Sequence, residues 1–576
     1  MPIPSYGAVR AIPLLSLSGA SSVAIKPNSG AGVPPEKQAA ILQTMSASFA
    51  SLPAASKDAL SGYWHEWAHV DSQFVTAAVA VDTSELTAEQ RLYLPLLDEM
   101  AFKLPCTCDD GTVLSKDALV TGLQADTVRF SCGPGGIRAG SSQLFTFWVQ
   151  VELDKGAGLG LALKWLRRVL YQTSYSAELI GIAVQRLLSQ VPAAVRSGQN
   201  IANALIGGLT FDPNAANDLA YHAIKQQPFL TKLQAQLATP AGAAAAVATL
   251  SQLRAALLVP SRVNLFVAAD LTALASPYPT LAAAILPPSP APPLAAGVGP
   301  VGPFSAVSES LIKLNQEGRA TLCSLSAIET HFVYARAPGL GVYSADHAAL
   351  LVAIEYLTAL EGDFWVKLRG AGLTYSYRIS ASTDTQTITF ALIKCTDLLG
   401  AYSAAKAIIV DYASGTTSIS PIELEGSKST VAYSIIQGAS TRLSAAAAAW
   451  EAGYEAKGVD YGKWLLAQVD AVTAVDALHA LKKYIVPLFD PSANLAATCP
   501  PNKLDDDLAG LSEVLGTHIT VLKEEDLYGA FDRTAKAAGP PAKAPRPMGK
   551  GGGAFSFAKQ FKCECPKCEV PPEPVL

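Results

Sequence analysis

The stretch Glu361-Gly-Asp-Phe-Trp-Val-Lys-Leu-Arg369-Gly-Ala-Gly-Leu-Thr-Tyr375-Ser-Tyr377 decides how this chain is read. An apolar-periodic run, 345–360, precedes it. An alternating run, 375–382, follows it, with Tyr375, Tyr377 and Ile379 on one face. The spacing predicts a helix, a glycine-loosened turn and a strand. Arg369 falls at the turn, and Tyr375 opens the strand six residues later. Arginine offers five donors in a fixed fork, and tyrosine a hydroxyl on a stiff ring. Gly370 and Gly372 let another backbone come close. Such a group can hold a peptide carbonyl or a carboxylate. The plainer alternative is a surface ion pair beside a half-buried core tyrosine.

Working outward, the same order of elements occurs twice. In the first block, strand patterns at 74–81, 127–131, 144–152 and 262–268 surround helical runs at 83–102, 114–123, 154–170, 178–191, 194–210, 213–238 and 241–257. In the second, 320–336 reads as strand, 345–360 as helix and 386–394 as a strand equivalent to 144–152. Helices follow at 398–412, 420–437, 440–453, 461–469 and 474–484, with closing strands at 495–497 and 519–522. The expected fold class is α+β, with two tandem homologous domains, each an antiparallel or mixed sheet packed by helices. Residues 1–35 are rich in Pro, Ser and Gly and read as a linker or extended segment. The first domain spans 36–285. A Pro-rich linker covers 286–318, the second domain 319–530, and a Lys/Pro/Gly-rich tail, expected to be disordered, 531–576.

Composition narrows the function classes. The chain has 576 residues, half of them hydrophobic and 16% charged, with a formal net charge of −5. That balance supports large cores and argues against a nucleic-acid partner. No long uninterrupted apolar run suggests a membrane span. The run 12–25 is apolar but Ser-rich, which reads against a secretory signal. Nine Cys without paired spacing fit a reducing compartment, so the expected location is cytoplasmic, with mitochondrial as the alternative.

Two motifs invite a metal. His65-Glu66-Trp-Ala-His69 matches the H-E-x-x-H zinc pattern, with Glu85 or Glu89 as imaginable third ligands. On a helix, His65 and His69 would share one face. However, the flanking residues read as a strand entry, with Tyr63, His65, Trp67 and His69 facing one way, so a structural role is expected. Cys563-Glu-Cys565-Pro-Lys-Cys568 offers three thiolates but no fourth ligand, and reads as part of the tail. The Cys106-Thr-Cys108 pair reads as a turn.

Helix, Leu-Arg369-Gly-x-Gly-x-x-Tyr375, then strand resembles the last domain of insulinase/pitrilysin-type metallopeptidases, the inverted zincins, and within them the presequence-protease-like branch. Supporting stretches are Leu92-Tyr-Leu-Pro-Leu-Leu-Asp-Glu-Met, Asp126-Thr-Val-Arg-Phe-Ser, the run from Ala345 to Gly362, and Leu481-Lys-Lys-Tyr-Ile-Val-Pro-Leu-Phe-Asp-Pro. The resemblance spans roughly 40–527 and corresponds to the family's third and fourth domains. It implies that Arg369 and Tyr375, beside Gly370 and Gly372, reach toward substrate backbone in a closed chamber. It also implies that zinc belongs to an N-terminal half bearing H-x-x-E-H, an order absent from this sequence. The expectation is therefore a substrate-binding half with no catalytic residue, metal ligand or cofactor of its own, inactive alone. Its partners would be a peptide or small unfolded protein and a zinc-bearing half or subunit. The alternative is an inactive scaffold subunit of the same fold. A third reading is an independent zinc peptidase using His65, Glu66 and His69.

Overall fold

A computed structural model describes residues 21–26, 35–136, 143–154, 157–212, 214–286, 319–438, 440–454, 461–516 and 518–529. The expected tail with Cys563, Cys565 and Cys568, and nearly all of the expected Pro-rich linker, lie outside the described residues. The described residues form one compact unit.

Two six-stranded sheets organise that unit. The first uses β1 (Ser21–Lys26), β2 (Trp64–Val70), β3 (Phe74–Asp82), β6 (Arg129–Pro134), β7 (Leu144–Glu152) and β8 (Val263–Ala269). A small hairpin, β4 (Cys106–Thr107) with β5 (Val113–Leu114), stands apart. The sheet order is β1-β2-β8-β3-β7-β6. The second sheet uses β9 (Ala320–Ser324), β10 (His331–Pro338), β11 (Thr374–Ser382), β12 (Thr387–Cys395), β13 (Asn494–Cys499) and β14 (Ile519–Lys523), in the order β11-β12-β10-β13-β9-β14.

Read from the opposite edge, the first sheet has the pairing of the second. Three antiparallel contacts join β6, β7, β3 and β8, and two parallel contacts add β2 and β1. The same run joins β11, β12, β10 and β13, then β9 and β14. The duplication expected from element order is real, and β12 is the counterpart of β7. The outermost parallel strand enters from the N-terminal side in one half and the C-terminal side in the other. The 1–35 stretch thus supplies the extended edge segment at Ser21–Lys26.

Each sheet buries one face under its own helices. Val75, Val79, Val81, Phe145, Val149 and Trp67 belong to the first core. Val333, Ala335, Ile388, Phe390, Leu392 and Leu495 belong to the second. Period-two alternation sends the remaining residues to the other face. There each half covers the other. The Arg442–Tyr454 helix lays Ala446, Ala447 and Trp450 on Ala68, Ala78, Ala80 and Ala268 of the first sheet. The Gly198–Thr210 helix lays Ile201, Ala202 and Leu205 on Phe332, Tyr334, Ala391 and Ala496 of the second. Small residues on both sides let backbones approach. A Cβ at Gly198 would stand 2.6 Å from the Phe332 ring.

Two sequence expectations are refined. Residues 320–336 form two strands separated by a turn, not one strand. The helix expected over 345–360 runs from His347 to Thr358 and is followed by a separate π-helical turn, Trp365–Gly370. The Leu504–Leu515 helix matches no element expected from the sequence, and three consecutive acids fill its first turn. They suit the positive end of the helix dipole. Asp507 from that turn lies 3.0 Å from the buried His331 Nε2 of β10, while the ring's Nδ1 meets the Cys395 carbonyl oxygen at 3.1 Å.

Candidate functional site

Arg369 sits within the π-helical turn, one step before the glycines. Phe364 and Leu368 anchor that turn. Both are fully buried, and Phe364 packs 5.4 Å from Tyr377 of β11. Closure follows at once, since the Gly372 N–H donates to the Arg369 carbonyl at 3.0 Å and the Leu373 N–H to that of Leu368 at 2.9 Å. Gly372 has φ +74°, a left-handed conformation that explains the glycine. Gly370 has no positive φ, so its freedom is not used in this way. Gly372 shapes the turn.

The turn places Trp365 and Arg369 four positions apart on one exposed face. The Arg369 guanidinium carbon lies 4.3 Å from the Trp365 ring centroid and 5.5 Å from that of Tyr375. Tyr375 is 65% exposed, so it is not the half-buried core tyrosine of the plainer reading. Tyr377 and Ile379, on the same face of β11, do join the second core. On the other side of Tyr375 stands the Lys394 amine, 5.6 Å from its ring centroid. Lys394 has φ +57° at a register shift, where His331 and Phe332 of β10 face Cys395 and Ile393 of β12. A bulge of this kind re-aims a side chain.

Arg369 therefore alternates with aromatic rings rather than meeting a carboxylate. The nearby acid, Asp363, is occupied by Lys367 at 3.0 Å and by the Tyr412 hydroxyl at 2.8 Å. Among the described residues nothing accepts from the Arg369 N–H groups. A guanidinium held by its faces keeps its edge for a planar oxygen ligand, and stacking removes much of the rotamer entropy that binding would otherwise cost. Exposed apolar side chains flank it, with Leu360 at 78% and Val366 at 57%. The sequence reading found Arg369 and Tyr375. It missed Trp365, which the four-residue helical spacing could have shown, and Lys394, which only the strand register reveals.

The H-E-x-x-H stretch has a different fate. Trp64–Val70 is a strand, as its flanks indicated. His65 and His69 share one face but lie about 13 Å apart along it, while Glu66 faces the opposite way. No single ion can join all three. The independent zinc-peptidase reading is thereby corrected. His65 packs 5.5 Å from the Tyr278 ring, and burial lowers its pKa to about 4. His69 Nδ1 accepts the Leu271 N–H at 3.1 Å. Glu85, an imagined third ligand, is 3.9 Å from Arg262. Glu66 accepts from the indole of Trp64 and from Asn264 Nδ2, and Asn264 in turn accepts from Trp450 at 3.2 Å. Burial raises the Glu66 carboxyl to about 7 against the pull of those donors.

No protein-family model matches the chain. An uncharacterized protein of Saccharomyces cerevisiae is 22% identical over 463 residues, covering 76% of this chain and 43% of its own length. One from Schizosaccharomyces pombe is 23% identical over 451 residues, covering 74% and 41%. One from Caenorhabditis elegans is 24% identical over 382 residues, covering 65% and 36%. The chain thus spans less than half the length of these curated relatives. Among solved structures, a peptidase M16 inactive domain from Pseudomonas fluorescens superposes with a TM-score of 0.54 at 13% identity, covering 76% of this chain and 96% of that one. A protease from Helicobacter pylori gives 0.58 at 9%, covering 76% and 98%. A conserved protein from Enterococcus faecalis gives 0.57 at 14%, covering 76% and 97%. The fold is M16-like.

Proposed function

We propose that this chain is the zinc-free half of an insulinase-type, presequence-protease-like peptidase, and that it holds an extended peptide for a zinc-bearing half to hydrolyse. The observation that carries this reading is the Arg369 guanidinium, stacked between Trp365 and Tyr375 with its N–H edge unclaimed among the described residues. The M16-like fold and the greater length of the curated relatives support it. Arg369 would donate to a substrate carbonyl or carboxylate. The Tyr375 hydroxyl would donate to the oxygen that gains charge during peptide hydrolysis, a preorganised contact of a few kcal/mol. Zinc and the general base would come from the other half. Nothing in this half would act as nucleophile.

A second reading makes the chain an inactive scaffold of the same fold, favoured by the likeness to an M16 inactive domain. Arg369 is exposed, so Arg369→Ala should leave the unfolding free energy within about 0.5 kcal/mol of wild type. On the peptide-holding reading it should weaken binding of a neutral extended peptide about tenfold or more, measured by fluorescence anisotropy. Equal binding by wild type and variant would favour the scaffold.

A further inference from the structure

The opposite face of β11 holds a second cationic group. Strand register puts Arg336 of β10 beside Thr389 of β12, and Thr389 beside Ser380 of β11. One step along, Tyr334 is level with Ala391, and Ala391 with Arg378. These side chains share the face of the sheet that the Gly198–Thr210 helix covers at Phe332 and Ala496. Arg378 lies beyond that cover and is exposed.

Arg336 is incompletely satisfied. Its Nε donates to Thr389 Oγ1 at 3.0 Å, and its guanidinium carbon lies 5.4 Å from the Phe211 ring centroid. Its Nη1 is buried and has no hydrogen-bond partner among the described residues. Asp218, on the short Asn217–Ala220 helix, acts on Arg336 electrostatically but forms no ion pair with it. The Tyr334 hydroxyl bonds to Gln199 and lies in the field of both arginines. Arg336 thus faces one carboxylate that does not reach it, and Tyr334 and Arg378 lie on the same face of the sheet. A buried charged donor without a partner is costly, and a planar two-oxygen anion matches the guanidinium fork.

We propose that Tyr334, Arg336 and Arg378 form an anion site that takes a carboxylate group. Resting on the peptide-holding reading, the carboxylate would be an acidic side chain or the C-terminus of a peptide lying along the edge strand β11. Asp218 then competes with the ligand for Arg336. Arg369 and Tyr375 belong to the other face and do not contribute.

The test is calorimetric titration of the full chain with succinate at fixed ionic strength. Wild type should bind. Arg378→Gln and the Arg336→Met/Arg378→Gln double variant should each weaken binding, the double about tenfold or more. Asp218→Asn should tighten it. Arg378 is exposed, so its variant remains informative if the double variant does not fold. Absence of succinate binding by wild type, or equal binding by Arg378→Gln, overturns the site. Tighter binding of inorganic phosphate than of succinate overturns the carboxylate assignment. Peptides with Glu against Gln, and with free against amidated C-termini, then separate the two sources. If succinate binds and no peptide does, the peptide-holding reading fails while the anion site stands.

Discussion

Glu66 is one of the least comfortable residues in the chain. Its carboxyl is buried on the face of β2 that meets Trp450, and burial moves its pKa from 4.5 to about 7. A raised carboxyl favours the folded state while it is protonated. That contribution is complete below about 4.5 and is lost as pH rises through about 7. Glu66→Gln keeps an oxygen for the Asn264 and Trp64 donors and removes the charge. It should raise the free energy of chemical unfolding above that of wild type at pH 8, by up to about 3 kcal/mol, and flatten the decline between pH 5 and 8. A variant no more stable than wild type at pH 8 would mean that ionised Glu66 is tolerated without cost. The same residue shows how a motif misleads. H-E-x-x-H has meaning on a helix, where four residues make about one turn, and here the chain is extended.

At the scale of elements, the two helices that cross between the halves matter most. Trp450, 1% exposed, fills the space between the Arg442–Tyr454 helix and the alanines of the first sheet. Its indole also donates to Asn264, which supports Glu66. Trp450→Ala should cost about 3–5 kcal/mol in thermal or chemical unfolding. Because it strips Asn264 of a donor, it should also change the pH dependence contributed by Glu66. A loss below about 1 kcal/mol would show that the helix is not held by this contact. The candidate site was legible at this scale only in part. Helix, turn and strand followed from periodicity and glycine placement, and Arg369 and Tyr375 came with them. The π-helical turn did not, because its widened backbone depends on Phe364 and Leu368 finding the second core. Lys394 joined through a bulge that no local pattern announces.

For the whole molecule, the reciprocal cover makes the halves one body although their sheets are separate. Ile201, Leu205 and Ile206 of one half have their apolar partners in the other. At roughly 1.5–3 kcal/mol per fully buried large side chain, such a surface is too costly to expose. Proteolytic nicking within 287–318 should therefore leave two fragments that co-elute in gel filtration and unfold in one transition. Separation of the fragments in native buffer would show that each half is self-sufficient. In the proposed assembly this body would close on a zinc-bearing half, with the Arg369 stack on one face of the second sheet and Tyr334, Arg336 and Arg378 on the other.

The sequence by itself determined the fold class, the duplication, most of the order of strands and helices, and the proximity in sequence of Arg369 and Tyr375. These depend on short-range periodicity, on glycine and proline, and on spacing within a few residues, all of which act along the chain. Tertiary structure alone decided the shared pairing of the two sheets, the helices exchanged across them, the burial of Glu66, the stacking of Trp365 and Lys394 around the pair, and the placing of Tyr334, Arg336 and Arg378 on one sheet face. Each of these brings together residues distant in sequence, through strand register and packing. Those are settled by which apolar faces meet, and no local run of residues encodes that choice.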